Sequence, residues 1–403
     1  MTTTLEFTAA EEAFRLEARD WLAANNPGRL PSMDTAEGAA AHREWERTLA
    51  SGRWSVVTWP EMYGGRDASL TEWVIFEEEY YLCGAPTRIS QNGISLLAPI
   101  IFGHGTEAQK ERYLRDMTDG TLVWAQAWSE PEAGSDLASL RATATRVVST
   151  GSTTGGWRLN GQKTWSSRAP FADRGFGLFR SDPAAERHCG LTYFLFDLTA
   201  DGVTVRPIDQ LDGTPGFAEI FFDDVFVPDE DVLGGVGDGW KVAMSTAGNE
   251  RGLSLRSPGR FCAAAERLVE LYRERGLDGA EGVDRIDHLG SKVVDAWVGA
   301  EAYRLYTWGT VTHVESGGAV GPEGSINKLW WSDLDLSLHE TALSLLGADA
   351  ELEGPWLDDY LFSLSGPIYA GTNQIQRNIV AERVLGLPKF AQSRSAHQEG
   401  RTR

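Results

Sequence analysis

The sequence predicts an α+β fold, with an N-terminal helical domain, a middle β-sandwich or β-barrel domain, and a C-terminal helical bundle. Apolar residues recur at helical spacing in the first third of the chain and again after residue 237. Short aromatic and β-branched runs separated by turn residues fill the stretch between them. The predicted domains are residues 1–121, 122–236 and 237–390, followed by a polar tail at 391–403.

The composition limits what the protein binds and where it resides. The chain has 403 residues, of which 42% are hydrophobic and 24% charged, as in ordinary globular proteins. Its formal charge of -21 disfavours binding to nucleic acid or to an anionic membrane surface, because like charges repel. Three widely spaced cysteines indicate free thiols rather than a disulfide framework. With no signal-peptide pattern and no long apolar run, we expect a cytoplasmic protein without a membrane span.

The N-terminal helices are predicted from capping residues and apolar faces. Thr8 precedes acidic residues and an apolar face that includes Phe14 and Ala18, which is typical of a capped helix start. Residues 70–82 are again periodic, and residues 106–117 begin with a cap-like Thr106. The run Glu77-Glu78-Glu79 is interpreted as a solvated helix face.

The middle of the chain carries the strand signals. Residues 122–129, 190–198, 203–211 and 218–228 are short runs rich in aromatic and β-branched residues. Asn160-Gly161 lies between two further strand-like pieces and predicts a tight hairpin turn. Pro228 and Gly234-Gly235 mark the end of the β domain.

The C-terminal third returns to helical periodicity. Predicted helices cover residues 260–275, 288–310, 325–346 and 372–385, with glycines between them. A further helix opens this part of the chain at residues 239–251, which read GWKVAMSTAGNER. Glu250 lies near its end. On its own, such a glutamate is most simply a surface acid.

Three segments carry the motifs on which the functional prediction depends. Residues 128–136 read WSEPEAGSD, residues 160–167 read NGQKTWSS, and residues 369–377 read YAGTNQIQR. In their order and spacing they resemble the TEPxxGSD, NGxKxWIT and YEGTxxIQ segments of the acyl-CoA dehydrogenase family. The resemblance covers residues 5–388. It implies an oxidoreductase that removes a proton from Cα and a hydride from Cβ of an acyl thioester.

The resemblance implies FAD as the cofactor. The residues that it assigns to the flavin and its phosphates are Gln126, Trp128, Ser129, Ser135, Trp165, Ser167, Thr372 and Gln374. It also implies that the substrate meets Ser135, Ala370 and Arg251, although Arg251 is interpreted as mainly structural. Independently, aromatic walls with a few hydroxyl donors suit an isoalloxazine ring. No metal site is expected, because no second pair of ligands accompanies His188-Cys189 or His339-Glu340.

The catalytic base departs from the commonest pattern of the family. Much of the family carries the base as the glutamate of YEGT, but this position is Ala370, which cannot accept a proton. A branch similar to isovaleryl-CoA and long-chain dehydrogenases carries the base on the helix that opens the C-terminal domain, just before an arginine. Here that place reads Asn249-Glu250-Arg251. The resemblance therefore identifies Glu250 as the candidate base. Branched or bulky acyl groups accompany this arrangement in related enzymes.

The family resemblance also implies partners. We expect a dimer or tetramer that takes an acyl-CoA or an acyl carrier protein thioester and passes electrons to an electron-transfer flavoprotein. Two segments that reach a neighbouring subunit's FAD in many members, RxxFG and QxxGG, are absent: residues 282–290 read GVDRIDHLG and residues 345–348 read LLGA. Members without these segments include heteromeric enzymes that act on steroid side chains, so a heteromeric assembly stays open.

Two alternative functions remain. The first is a flavin-dependent monooxygenase or oxidase on the same fold, for which Ala370 is acceptable and Glu250 is unnecessary. The second is a non-catalytic subunit that binds FAD or an acyl group for a partner. Neither alternative explains why a glutamate stands at 250 when the YEGT glutamate is missing.

Overall fold

A computed structural model describes residues 6–148, 155–251, 257–276 and 283–388. Within it, residues 246–251 and 283–287 are described as helix backbone only. The predicted tail at 391–403 lies outside the described residues. The described chain has a helical N-terminal part, a β-rich middle and a helical C-terminal part, which confirms the predicted α+β fold. No described helix is both long and apolar enough to cross a membrane.

The N-terminal part contains five α-helices and one π-helical segment in the described residues. They are α1 (Ala9–Asn25), α2 (Ala36–Ser51), α3 (Leu70–Leu82), the π-helix Asn92–Leu97, α4 (Ala98–His104) and α5 (Glu107–Thr118). Thr8, Ser69 and Thr106 form capping boxes at the starts of α1, α3 and α5, in which side chain and backbone satisfy each other's polar groups. The predicted starts at Thr8 and Thr106 are therefore confirmed.

The acidic run of α3 corrects one prediction. Glu78 and Glu79 are buried rather than solvated. Arg19 on α1 pairs with Glu79 through two hydrogen bonds of 2.8 and 2.9 Å, and Arg304 donates to Glu78 at 2.7 Å. The prediction was wrong because the partners of these carboxylates lie 60 and 226 residues away in the chain, where a local pattern cannot reveal them.

The middle part is a β structure of eight strands in the described residues. They are β1 (Trp124–Ala127), β2 (Thr143–Val147), β3 (Gly156–Lys163), β4 (Arg174–Arg180), β5 (Leu191–Asp197), β6 (Val203–Ile208), β7 (Phe217–Pro228) and β8 (Val232–Leu233). The strand order is β6-β7-β3-β2-β4-β5-β8, and β1 runs parallel to β4. The strands form two arms: β6-β7-β3-β2, and β4-β5-β8 with β1. One residue pair, Thr143 of β2 with Arg180 of β4, connects the two arms.

The two arms face each other across an aromatic core. Phe222 of β7 meets Phe179 of β4 and Phe196 of β5 edge to face, each at a centroid distance of 5.0 Å. Trp157 and Leu159 of β3 are buried in the same cluster. This packing of two sheet arms gives the sandwich form of the predicted β domain.

The predicted hairpin at Asn160-Gly161 is wrong. β3 runs through both residues, and its pairing with β7 shifts register between Leu159 and Gly161. Gly161 has a φ of +133°, and a Cβ there would lie 2.7 Å from the side chain of Ala142. The glycine therefore permits a β-bulge and a close strand contact rather than a turn.

The C-terminal part consists of helices. They are α6 (Gly239–Arg251), α7 (Pro258–Glu274), α8 (Val283–Glu315), α9 (Gly324–Leu346), α10 (Pro355–Ser363), α11 (Asn373–Ile379) and a π-helical segment Val380–Val384. The predicted helices are confirmed in type and order, but α8 is longer at both ends and α10 was not predicted.

Helix α6 lies at the junction of the three parts. It packs against the π-helix and α4 from the N-terminal part, β5 from the sheet, and α9 from the C-terminal part. Val242 and Ala243 are fully buried in a cluster with Leu96 and Leu97 of the π-helix. The helix that carries Glu250 is thereby fixed against all three parts of the chain.

Candidate active site

The first two motifs lie side by side. The backbone N–H of Thr164 donates to the carbonyl of Ser129 at 2.9 Å. The Lys163 ammonium donates to the Glu130 carboxylate at 2.8 Å and to the Trp128 carbonyl at 3.3 Å. These bonds join residues 128–130 to residues 163–164, so the two segments that hold the predicted flavin residues are adjacent.

Glu130 and Lys163 form a buried pair that the sequence analysis missed. Burial lowers the pKa of Lys163, while its contact with Glu130 opposes that effect. The Glu130 carboxylate also accepts the backbone N–H groups of Arg141 at 2.6 Å and Ala142 at 2.9 Å. A lysine on the inward side of a strand was the available signal, since such a residue is almost never buried without a partner.

Trp165 combines an uncommon backbone conformation with a largely exposed side chain. Its φ is +58°, which is uncommon for a bulky residue, and 61% of its surface is exposed. Its ring meets Phe217 edge to face at 6.0 Å. The next residue, Ser166, is fully buried and pairs through its backbone with Ala218 on β7. The strained residue is therefore held in place by an ordered neighbour.

The remaining residues predicted to contact the flavin in these motifs differ in burial. Gln126 is on β1 opposite Phe176 of β4 and is half-buried, as are Trp128, Ser129 and Ser167. Ser135 is exposed and lies two residues before the short 3₁₀ turn Leu137–Ser139. The structure thus joins the first two motifs at residues 128–130 and 163–164, while Ser135 is exposed.

The third motif forms a tight loop before α11. Ala370 has a φ of +54° and Gly371 a φ of +80°. The Gln376 amide donates to the Ala370 carbonyl at 2.9 Å, which closes the loop. Thr372 caps α11 by accepting the N–H of Ile375 at 3.2 Å, while Gln374 is exposed.

A buried lysine fixes this loop to α9. The Lys328 ammonium donates to the Gly366 carbonyl and to the Asn373 side-chain oxygen, both at 2.7 Å. Burial lowers the pKa of Lys328 to about 8. Asn373 in turn donates to Asp333 at 2.9 Å. Residues 328 and 373 lie 45 residues apart, so no local sequence pattern predicts this network.

Helix α6 connects the two regions, because it contacts both the sheet and α9. The His188 ring packs on Trp240 at a centroid distance of 4.4 Å, and Ser245 lies 3.2 Å from His104 of α4. Glu250 and Arg251 fall within the described helix span, but their side chains lie outside the described residues.

Comparison with known protein families covers almost the whole chain. The N-terminal, middle and C-terminal domains of acyl-CoA dehydrogenases match residues 8–121, 125–225 and 237–385. The chain belongs to the acyl-CoA dehydrogenase family. The members of this family are oxidoreductases that bind FAD, which confirms the predicted family, enzyme class and cofactor.

Individual relatives agree with the family assignment. "Acyl-CoA dehydrogenase IpdE1" of Mycolicibacterium smegmatis is 38% identical over 395 residues, which cover 94% of this chain and 98% of the relative. The solved "Tcur3481-Tcur3483 steroid ACAD" has a TM-score of 0.81 at 25% identity, covering 96% of this chain and all of that chain. The ChsE4-ChsE5 complex from Mycobacterium tuberculosis has a TM-score of 0.78 at 26% identity, covering 96% and 100%.

The residues present fit a flavin. Trp128 Nε1, Ser166 Oγ and Gln376 Oε1 are buried polar atoms with no hydrogen-bond partner among the described residues, and each belongs to a different motif. A flat ring system with a polar edge can satisfy such atoms, and the exposed Trp165 offers it an aromatic wall. The described residues contain no group of three or more side chains suited to a metal ion.

Proposed function

We propose that this acyl-CoA dehydrogenase catalyses the α,β-dehydrogenation of a branched or bulky acyl thioester, with Glu250 as the base that removes the Cα proton. FAD, when bound, accepts the hydride that leaves Cβ. One observation carries the proposal: the loop where much of the family has its catalytic glutamate is ordered here, yet holds Ala370. A missing base in an otherwise ordered loop calls for a carboxylate from another element.

The Ala370 loop retains a second catalytic function. Its backbone N–H is present, so it can donate to the thioester carbonyl while negative charge develops on that oxygen. Gln376 holds the adjoining Ala370–Gly371 peptide through the Ala370 carbonyl, and Lys328 and Asn373 fix the loop. Pre-positioned donors of this kind need no rearrangement during the reaction.

Helix α6 supports Glu250 as the replacement. Position 250 follows Ala243 by seven residues, close to two helical turns, so both positions share one side of the helix. Ala243 is buried against the π-helix Asn92–Leu97. The same helix contacts α9, which anchors the Ala370 loop. Glu250 would then remove the proton, while Arg251 has a supporting role at the helix end.

We infer the flavin-binding residues from the contact between the first two motifs. Gln126, Trp128 and Ser129 would hold the pyrimidine side, and Trp165 and Ser167 would cover the ring near N5 and the dimethylbenzene. Ser135 would meet the pantetheine part of the substrate. Thr372 and Gln374 would approach the ribityl and phosphate parts.

The preference for a bulky acyl group is supported by a π-helical segment beside α6 and by one solved relative. The π-helix Asn92–Leu97 packs against α6, and such segments widen a helix and recur at functional sites. One solved relative is described as a steroid acyl-CoA dehydrogenase. The acyl group of this protein would therefore be a branched or polycyclic one rather than a straight chain.

Anaerobic mixing tests the reaction and the substrate class together. We expect the flavin absorbance to be bleached by branched or polycyclic acyl-CoA thioesters at least tenfold faster than by butyryl-CoA. The reduced enzyme should then react slowly with O₂ and rapidly with an electron-transfer flavoprotein. Rapid reoxidation by O₂ would favour the oxidase alternative, and no bleaching by any thioester would favour a non-catalytic subunit.

We propose that a second copy of this chain covers an apolar face formed by α8 and α9. Its residues are Val294, Trp297, Val298, Leu305 and Trp330, each more than 40% exposed. The Trp330 indole donates to the Gly299 carbonyl at 3.0 Å, so the two helices form one continuous surface. A face this apolar is unusual for a monomer. Helix α8 can pair with its own copy because a two-fold axis places the same patch on both sides.

Sedimentation velocity tests this assembly. The wild-type chain expressed alone should sediment as a dimer or larger, and Trp297→Glu combined with Val298→Glu should produce monomers. Met62→Glu, at an exposed apolar position in the N-terminal part, is the control and should leave the assembly intact. A wild-type chain that is monomeric by itself would contradict self-assembly and indicate a different partner chain.

A further inference from the structure

The Arg180 guanidinium, at the end of β4, binds two separate segments of the chain. It donates to five backbone carbonyl oxygens at 3.0 to 3.4 Å, those of Ala138, Leu140, Ala185, Arg187 and Cys189. The first two follow Ser135 in the chain and belong to buried residues, and the other three lie in the loop between β4 and β5. A guanidinium has five N–H groups, one for each carbonyl. Arg180 therefore joins the turn after Ser135 to the β4–β5 loop.

The residues that flank this loop hold the start of α6. The Ser181 hydroxyl lies 2.7 Å from the hydroxyl of Thr192, which is fully buried and accepts the backbone N–H of Gly237 at 2.9 Å. At the first residue of α6, Gly239, a Cβ would lie 2.7 Å from the Leu191 carbonyl oxygen. The helix thus begins in close contact with β5, and its start cannot shift unless this end of β5 moves with it.

Within the loop, His188 adds a contact with α6. Its ring packs on Trp240 at a centroid distance of 4.4 Å. The neighbouring Arg187 contacts Asp136 of the first motif at 2.7 Å, but both side chains of this ion pair are more than half exposed. Because solvent screens such a pair, it contributes little. The carbonyl contacts of Arg180, rather than this ion pair, therefore hold the loop against the first motif.

We propose that Arg180 is a positioning residue for proton abstraction. It fixes the turn after Ser135, where the pantetheine part of the substrate would lie, relative to the start of α6, which carries Glu250. Arg180 acts through the two segments that it joins. The inference rests on the proposed function, because it takes Glu250 as the base and Ser135 as a substrate contact.

The length of α6 makes the reaction sensitive to this anchor. Position 250 lies about 16 Å along the helix axis from Gly239. A tilt of about 4° at the start would displace position 250 by about 1 Å, and a displacement of this size can reduce a rate about 10²-fold. Thr192 and Leu191 still hold the helix when Arg180 is replaced, so we expect a smaller loss of about 30-fold.

Arg180→Met tests this role, because it removes the five donors and keeps an apolar stem. Anaerobic flavin bleaching by a branched acyl-CoA should slow about 30-fold. The same acyl group as its S-ethyl thioester, which lacks pantetheine, should lose less than about threefold, because it is not tied to Ser135 and can adjust to the base. General destabilisation would slow both thioesters alike. Adding Ser135→Ala to Arg180→Met should cost little more than Arg180→Met alone, because both changes break one alignment.

Arg187→Met is the matched control, since it removes an arginine of the same loop whose ion pair is exposed. It should bleach within about twofold of wild type. Arg180→Lys keeps a cation with three N–H groups and should slow bleaching by acyl-CoA about tenfold. This second variant carries the same comparison of thioesters if Arg180→Met does not fold.

Hydrogen exchange provides a readout that does not depend on turnover. In Arg180→Met, amides of the peptide spanning residues 237–245 should exchange at least about threefold faster than in wild type, whereas residues 70–82 of α3 should be unchanged. In Arg187→Met both peptides should match wild type. Equal losses with both thioesters, or unaltered exchange at 237–245 in Arg180→Met, would overturn the inference. Failure of the proposed function would appear separately, as no flavin bleaching in wild type or as bleaching at the wild-type rate in Glu250→Gln.

Discussion

Glu250→Gln is expected to lower kcat about 10³-fold, because a positioned general base contributes roughly 10²–10⁴ to the rate. Glutamine has nearly the shape of glutamate but cannot accept the α-proton. The backbone N–H of Ala370 and the flavin surface are unaffected by the change. Substrate binding should therefore be nearly unchanged, and the loss should fall on kcat rather than KM. Stopped-flow measurement of anaerobic flavin bleaching gives the rate of this step.

Glu274→Gln is the matched control, since Glu274 is an exposed residue at the end of the next helix. It should bleach at the wild-type rate. A Glu250→Gln enzyme that bleaches as fast as wild type would remove Glu250 from the mechanism. In that case the oxidase alternative, which needs no carboxylate base, would regain support.

Lys163→Met should produce the largest loss of stability. Breaking a buried ion pair costs about 3–5 kcal/mol, because the remaining charge stays buried without its partner. Here Glu130 would keep its bonds to Arg141 and Ala142 but lose its cation. The backbone contact between Thr164 and Ser129 lies beside the pair, so we also expect FAD retention to fall. Urea denaturation and the flavin-to-protein absorbance ratio measure the two effects.

A second variant separates charge from packing in this pair. Glu130→Gln added to Lys163→Met removes the unpaired charge and keeps an oxygen for the two backbone N–H groups, so part of the lost stability should return. Lys110→Met serves as the surface control. Its ion pair with Glu107 lies on the outside of α5 and should contribute less than about 1 kcal/mol to the stability of the protein. If the stability of Lys163→Met lies within about 1 kcal/mol of wild type and its FAD content is full, the Glu130–Lys163 pair is not what joins the motifs.

The sequence predicted the layout of the fold well, because capping residues and periodicity are local signals. Thr8 and Thr106 start helices as predicted. The failures are those that depend on distant partners. Asn160-Gly161 has the composition of a turn, but pairing with β7 keeps it inside a strand. Glu78 was assigned to solvent because Arg304 lies 226 residues away.

The sequence predicted which segments form the candidate site, but not the contacts that hold these segments in place. The motif residues predicted which segments contact the flavin and showed that position 370 holds an alanine instead of a glutamate. Lys163, Lys328 and Asn373 hold those segments in place but were not predicted to do so, because their partners Glu130, Gly366 and Lys328 lie more than 30 residues away in the chain. The role of Glu250 stays a prediction, since the structure describes only the helix that carries it.

Exchange of the substrate α-hydrogen tests the central claim most directly, because it reports proton abstraction without requiring hydride transfer. An acyl-CoA that cannot complete dehydrogenation is incubated with the holoenzyme in D₂O, and deuterium uptake at Cα is followed by mass spectrometry. We predict uptake with wild type, none with Glu250→Gln, and partial recovery with Ala370→Glu added to it. The backbone at 370 already accommodates a Cβ at a φ of +54°, so the added glutamate brings little new strain. Uptake at the wild-type rate with Glu250→Gln alone would contradict the account.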